Sequence, residues 1–383
     1  MDFTLPEEIE MLRKTVREFV EKRLLPISMQ VEEEDKIPDE IVEEMKDMGF
    51  FGLPFPEEYD GVGMGELGYV VALEELGAAN AAFGNLIGAH TGIAGMSIYL
   101  DGTPAQKQKY IPPMARGEMI GAFALTEPNA GSDAAAIETT ARREGDNYIL
   151  NGSKMWITNG PIANVVVVFA VTDKTLGARG GISAFIVENT FPGYRVGKVD
   201  KKMGLHGSYT SELIFEDCVV PAENLLGKPG LGFVTAMKAL DMGRIGLAAG
   251  AVGAAQKALE MSIQWANQRV QFGKPIGEQQ AIQWMLAEMA TEIHAARLMT
   301  YHAAYKADRG ERVSREAAMV KMFASEMACR VVDKAVQIHG GTGYMAEHPV
   351  ERMYRDARIL KIYEGTNEIQ RLVIARDLLK AGK

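Results

Sequence analysis

Asn147-Tyr-Ile-Leu-Asn-Gly-Ser-Lys-Met-Trp-Ile-Thr158, followed by Val165-Val-Val-Val-Phe-Ala-Val171, is the stretch whose texture decides how the chain is built. Runs of β-branched and aromatic residues between turn formers suit pleated strands better than helix. Asn151-Gly152 reads as the turn of a hairpin between the first two runs. Ile182 to Val187 and Glu212 to Phe215 continue the pattern, so residues 121–228 read as a small β domain.

On both sides of it the period changes to that of a helix. Ile9, Leu12, Val16, Phe19, Val20 and Leu24 recur on one helical face, and Pro26 is expected to close that segment. Pro38–Met48 reads as a further helix stopped by Gly49, and a loop rich in Gly and Pro carries the chain to Gly68. From Tyr69 to Met114 the chain is Ala-rich and apolar, interrupted by Gly84, Gly88, Gly92 and Gly95; tight helix packing explains this better than a ligand pocket. Long helical patterns span 233–264, 278–309 and 314–339. The expected class is α+β: an N-terminal helical domain (1–120), a central small β domain (121–228) and a C-terminal domain resembling a four-helix bundle (229–383).

Charge and composition remove several functions. With 41 basic against 51 acidic residues, a formal charge of -10 and no long basic run, a nucleic-acid or anionic-membrane surface has no electrostatic support. Cys218 and Cys329 offer neither a disulfide framework nor metal-ligand spacing and suit packing in a reducing compartment. Met1–Pro6 shows no charged-then-apolar leader pattern and no 18-residue apolar span follows, so the expectation is a cytoplasmic protein without a membrane span. Gly340-Gly-Thr-Gly343 follows a helical pattern rather than a strand, so it is not the dinucleotide-binding fingerprint; a Walker loop, a His-Glu-x-x-His motif and a nucleophile elbow are absent too.

Glu364, in Tyr363-Glu-Gly-Thr-Asn-Glu-Ile-Gln-Arg371, is the main chemical candidate. A desolvated carboxylate gains basicity and suits removal of a weakly acidic C–H proton, although a Glu before Gly is also an ordinary helix-start residue. Phe123-Ala-Leu-Thr-Glu-Pro-Asn-Ala-Gly-Ser-Asp133 offers hydroxyls and backbone N–H groups to a phosphate or heterocycle edge, or is simply a turn. Strand alternation would place Trp156 and Thr158 on one face, as a ligand wall or as core. Glu351 with Arg355 and Arg352 with Asp356, four apart, need only support a helix or a subunit contact.

Three stretches carry a resemblance to the acyl-CoA dehydrogenase family. They are Leu125-Thr-Glu-Pro-Asn-Ala-Gly-Ser-Asp133, then Gln337-x-x-Gly-Gly-x-Gly-Tyr344 with Glu347, Arg352 and Asp356, and then Ile362-Tyr-Glu-Gly-Thr-x-Glu-Ile-Gln-Arg371. The resemblance spans the chain and is nearest to the short- and medium-chain, butyryl-CoA dehydrogenase-like branch. It implies FAD as cofactor and oxidation of an acyl-CoA thioester to trans-2-enoyl-CoA. Glu364 would take the α proton, a hydride would pass to flavin N5, and electrons would go on to an electron-transferring flavoprotein. By the same resemblance Phe123, Leu125, Thr126, Ser132, Trp156, Thr158, Thr366 and Glu368 hold the flavin. Arg269, Phe272, Gln337 and Gly341 reach a neighbouring subunit's FAD in a homotetramer.

Ser132, Phe233, Met237, Asp241, Arg244 and Gly365 hold the CoA substrate in that reading, although Arg244 could simply pair with Asp241 along its helix. Gly243 stands where the isovaleryl type carries its base, which leaves Glu364 as the base. The segment closing the acyl pocket, near residues 80–100, is rich in small residues and so implies room beyond four carbons; His90 and Thr91 could instead meet a polar acyl tail. The rival readings are an acyl-CoA oxidase, expected to be longer; a dehydrogenase for a cyclic, aromatic or dicarboxylic acyl-CoA; a DNA-binding flavoprotein of the same fold; and a silent scaffold.

Overall fold

The structure is a computed structural model that describes residues 4–380; residues 1–3, part of the Met1–Pro6 start, and 381–383 lie outside them. Helix α1 (Glu7–Phe19) buries Ile9, Val16 and Phe19. Pro26 does not close this segment. The backbone widens into a π turn over Val20–Leu24 and continues as α2 (Leu25–Glu34), with Pro26 in its first turn, where a missing N–H costs least. Helix α3 (Asp39–Asp47) ends before Gly49, which takes φ 76°. Helix α4 (Gly65–Gly77) starts ahead of Gly68, because the Asp308 carboxylate accepts from the N–H groups of Glu66 (2.6 Å) and Leu67 (3.0 Å) and caps it from afar.

The glycines after it do not interrupt the helical chain. Helix α5 (Ala81–Ile87) passes through a π segment, Gly88–Gly95, into α6 (Met96–Asp101). A Cβ at Gly92 would stand 2.7 Å from Tyr69 Oη and one at Gly95 2.8 Å from Phe55 Cζ, so those two serve packing; at Gly84 and Gly88 it would meet only open space. Helix α7 (Pro104–Ala115) follows, opened by a reciprocal Thr103–Gln106 cap.

Eight strands form the central sheet: β1 (Gly121–Ala124), β2 (Thr140–Glu144), β3 (Asn147–Thr158), β4 (Val165–Val171), β5 (Ile182–Glu188), β6 (Tyr194–Val199), β7 (Thr210–Pro221) and β8 (Leu225–Leu226). Their order is β6-β7-β3-β2-β4-β5-β8, with β1 beside β4, and an irregular turn, α8 (Ala178–Gly181), precedes β5. The expected hairpin at Asn151-Gly152 is absent. Both residues lie inside β3, where the register against β7 slips between Leu150 and Gly152, and the actual turn is Gly145-Asp146, joining the Glu144–Asn147 pair. Gly152 has φ 147°, and a Cβ there would press on Thr139, so this glycine serves a bulge. The unbroken apolar run of β4 reflects burial on both faces: Val165, Val167 and Phe169 pack towards α7 and α9, and Val166, Val168 and Ala170 pack towards Leu150, Leu213 and Phe215.

Helix α9 (Gly232–Gln268) leads through a small hairpin, β9 (Val270–Gln271) and β10 (Lys274–Pro275), to α10 (Gln280–Asp308), α11 (Ser314–His339), α12 (Pro349–Ala357) and α13 (Asn367–Lys380). One apolar core runs from Val16 and Phe19 through Ile245 and Val252 to Met289 and Met327, so the helices from the two ends of the chain share an interior. Cys218 and Cys329 are free thiols, the first buried in the β core. Among the described residues no helix is long and apolar enough to cross a membrane.

Helices α4 and α9 approach backbone to backbone: a Cβ at Gly253 would collide with the Glu74 carbonyl, whereas one at Gly250 would meet nothing within 4 Å. Overpacking of this kind costs about 1–3 kcal/mol. Gly253→Ala should therefore lower the denaturant midpoint by that equivalent, and Gly250→Ala should leave it unchanged or raised, since Ala favours helix by about 1 kcal/mol. Equal effects in the two variants would contradict this packing.

Candidate active site

Between α4, α9, the edge of the sheet and the turn before α13 lies a cavity of about 880 Å³, in the upper range of small-molecule sites. Glu364 opens onto it from a backbone bent twice to the left, with φ 54° at Glu364 and 88° at Gly365. Only the second residue adopts this readily, and a non-glycine residue there costs of the order of 1–2 kcal/mol. Buried donors hold the bend. Arg244 Nε donates to the Glu364 carbonyl (3.1 Å), Lys321 Nζ to that of Gly365 (2.8 Å), and Gln370 Nε2 to both (3.2 and 2.9 Å). The Glu364 amide N–H has no acceptor among the described residues.

The Glu364 Oε2 atom is shut off from solvent and has no hydrogen-bond partner among the described residues. Burial pushes this carboxyl up to about 7, against the pull of the Arg244 and Lys321 charges. A Cβ at Gly243 would stand 2.6 Å from Oε2, so the small residue on α9 makes room for the acid.

The cavity brings together Phe123, Leu125, Thr126, Ser132, Trp156 and Thr158 on one wall, and Phe233, Met237, Asp241, Arg244 and Gly365 on another. Trp156 and Thr158 do not reach it by simple alternation: a register slip between Lys154 and Ile157 gives Trp156 φ 58° and leaves it 60% exposed. Arg244 pairs with Asp241 at 2.8 Å, and its Nη2 lies where a Cβ on Gly365 would be 3.5 Å away, so the guanidinium serves both the pair and the turn. Thr366 and Glu368 lie instead in a second depression, of about 770 Å³, with Arg330, Arg358 and Arg371. Arg269, Phe272, Gln337 and Gly341 do not line the cavity; Phe272 tips the β9–β10 hairpin at 96% exposure.

His90 and Thr91 point away from the cavity, contrary to the polar-tail expectation. His90 bridges the Met114 carbonyl (Nε2, 3.0 Å) and the Gly121 N–H (Nδ1, 2.8 Å), and Thr91 donates to the Phe51 carbonyl (2.9 Å). Full burial holds the imidazole down to about 4, hence neutral. The π segment is what turns these side chains inward to the protein. Residues not singled out from sequence also line the cavity: Tyr69, whose buried hydroxyl has no partner, and Arg179, Arg312 and Arg376. Lys321 was equally unmarked, although a charged residue in Ala317-Ala-Met-Val-Lys-Met-Phe-Ala324 is itself a signal.

These residues fit a flavin. Among the described residues the hydroxyls of Thr126, Ser132 and Thr158 have no hydrogen-bond partner, the exposed indole of Trp156 faces the cavity, and the wall behind is apolar Phe123 and Leu125. Among the described residues no cluster of potential metal ligands occurs.

Family models described as the N-terminal, middle and C-terminal domains of acyl-CoA dehydrogenase match residues 6–118, 122–218 and 230–379. The chain is 47% identical to the short-chain specific acyl-CoA dehydrogenase of Clostridium acetobutylicum, over 99% of this chain and all of that one. Butyryl-CoA dehydrogenase from Megasphaera elsdenii superimposes with a TM-score of 0.97 at 45% identity, over 99% of this chain and 100% of that one. A chain from the structure of the electron transferring flavoprotein of Acidaminococcus fermentans, directed at flavin-based electron bifurcation, gives 0.97 at 49% identity with the same coverage.

The buried acid also makes stability depend on pH. Glu364 keeps its proton up to about 7 in the folded protein, whereas its ordinary value is 4.5. Between these values the unfolded chain binds fewer protons, so this group lowers stability as pH rises. Glu364→Gln should therefore match the parent below pH 4.5, gain on it up to about pH 7 and keep the gain above. Denaturant midpoints across that range check the sign; an advantage confined to acid pH would contradict a buried, unpartnered carboxyl.

Proposed function

Because this chain belongs to the acyl-CoA dehydrogenase family, and is thus an FAD-dependent oxidoreductase acting on acyl-CoA, we propose that Glu364 is the base that takes the α proton of the thioester. The observation that carries this reading is the solvent-free, unpartnered Oε2 on a carboxyl pushed up to about 7. A base with its pKa near the working pH is well matched to a weak carbon acid. The free Glu364 N–H is suited to the thioester oxygen, where negative charge grows as the proton leaves. Loss of that proton to Glu364 leaves the electron pair from which the α,β double bond forms. FAD, when bound, supplies the two-electron oxidant for the β hydrogen. Thr126, Ser132, Trp156 and Thr158 would hold it, and Phe233, Met237 and Asp241 would hold the CoA arm.

Electrons would pass on to an electron-transferring flavoprotein, a reading supported by the likeness to the Acidaminococcus chain. Phe272, exposed on a left-handed hairpin tip, supports a partner subunit on that face. With Arg269, Gln337 and Gly341 it would complete a neighbour's flavin site in a homotetramer. A cytoplasmic location and division at 120/121 and 228/229 complete the proposal. For the acyl group, Gly84, Gly88 and Gly250 face open space, which favours chains longer than four carbons. The inward turn of His90 and Thr91 speaks against a polar tail.

Anaerobic mixing with acyl-CoA tests the base: Glu364→Gln should retain FAD while flavin bleaching slows by ~10²- to 10⁴-fold. Bleaching within a few-fold of the parent would remove Glu364 from the role. Substrate choice is a separate test. At about 0.8 kcal/mol per methylene, kcat/KM should rise roughly tenfold from butyryl- to hexanoyl-CoA, with isovaleryl-CoA poor. A maximum at butyryl-CoA with a steep fall beyond it would exclude the roomy pocket.

A further inference from the structure

Lys321 occupies a core position of α11, and its side chain is wholly buried. Its ammonium donates to the Gly365 carbonyl (2.8 Å) and to Asn367 Oδ1 (2.9 Å), and Asn367 is in turn tied to Ser325 (Nδ2 to Oγ, 2.9 Å). Among the described residues it forms no salt bridge. A dry cation with neutral partners alone is costly, and a Gln could supply the same hydrogen bonds without that cost. The strongest opposite charge acting on it is Glu364, next to the Gly365 that it holds.

Resting on the reading of Glu364 as the base, we propose that Lys321 is a positioning residue for it: by gripping the Gly365 carbonyl and adding its positive charge to that of Arg244, it fixes the aim of the base and contributes to the pH at which it ionises.

Two positive charges act on Glu364, and Lys321 is the one without an acidic partner. Glu364 is faced by Arg244 from α9, by Lys321 from α11, by Tyr69 from α4 and by Tyr363 on its own turn; Lys321 is faced by Glu364, by Arg244, by Glu326 on its own helix and by Glu368 from α13. Arg244 exerts the larger pull on Glu364 and Lys321 the next, but Arg244 is paired with Asp241 at 2.8 Å. The ammonium of Lys321 has no such partner. Burial lowers it to about 8, so the charge is present through neutral pH and fades above. Its sign favours the carboxylate form, and its removal should let the acid hold its proton to higher pH.

The test uses the flavin-loaded protein with Lys321→Gln, which retains a donor without the charge, and Lys321→Met, which retains neither. Anaerobic flavin reduction is followed against pH, and the protonated-carboxyl infrared band of Glu364, identified by its loss in Glu364→Gln, is titrated without turnover. In the Gln variant the acid limb and the infrared titration should both move up by a pH unit or more, with about fivefold or greater slowing of reduction near pH 7 that recovers at higher pH. The Met variant should show a further loss that pH does not recover. Titrations within 0.3 unit of the parent and rates within twofold would overturn the proposal. If neither variant retains its fold and FAD, the coupling is read from the other side. Loss of the opposite charge in Glu364→Gln should start the alkaline gain in stability belonging to Lys321 below its parent onset near pH 8. No movement of that onset overturns the proposal. Failure of the base reading is distinct, since it would appear as undiminished flavin reduction in Glu364→Gln itself.

Discussion

The absence of side chains along one face of α9 is the constraint from which the rest follows. Gly243, Gly246, Gly250 and Gly253 are spaced three, four and three apart and so fall on one side of the helix. Gly253 lets the α4 backbone approach at Glu74, Gly246 accepts the ring of Tyr69, and Gly243 leaves the space that Glu364 Oε2 occupies. Each glycine costs a helix about 1 kcal/mol relative to Ala, yet the same four positions close the core at one end and open the cavity at the other. Helix packing and the site are therefore one problem, solved on one helix face.

Charge is handled in that cavity by unequal compensation. Arg244 and Asp241 neutralise each other and lend their remaining hydrogen bonds to the turn and to Ser314. Glu364 and Lys321 have no such partners and stand on opposite sides of a clamped peptide. Desolvation alone would push a buried acid high and a buried amine low; Arg244 and then Lys321 restrain the shift of the acid, and Glu364 restrains that of the amine. The backbone bend ties this electrostatic balance to geometry, because the groups that supply the charge also hold the carbonyls.

A second charged cluster holds the sheet against the helices. Arg355 joins Glu32 of α2 (2.7 Å), Glu351 (2.8 Å) and the Met203 carbonyl (3.0 Å), and Asp356 accepts from the Leu205 N–H (2.6 Å). Arg352, wholly buried, reaches the carbonyls of Ser28 and Ala79 and lies 3.7 Å from Asp356. The i, i+4 pairs read from sequence as simple helix support thus also connect three parts of the chain. Buried pairs contribute little net stability, but they fix orientation, and Leu205, held at φ 56°, lines the cavity.

Periodicity and composition by themselves determined the order of helical, β and helical segments, the strand at Val165–Val171 and the candidacy of Glu364, because these depend on apolar spacing and on one acid in an apolar setting. Motifs along the chain marked the residues of both cavity walls. Tertiary structure alone decided the remainder. Pro26 and Asn151-Gly152 carry turn signals, but a π turn and a bulge absorb them, since packing on the core outweighs local propensity. His90 faces inward and Gly84 outward to the cavity because the π segment resets the helical phase between them. Lys321, Gln370 and Arg244 meet at two carbonyls although they lie on three different helices. Residue types and their spacing are written in the chain, whereas burial, pairing and pKa arise only when distant segments exclude water from the same place.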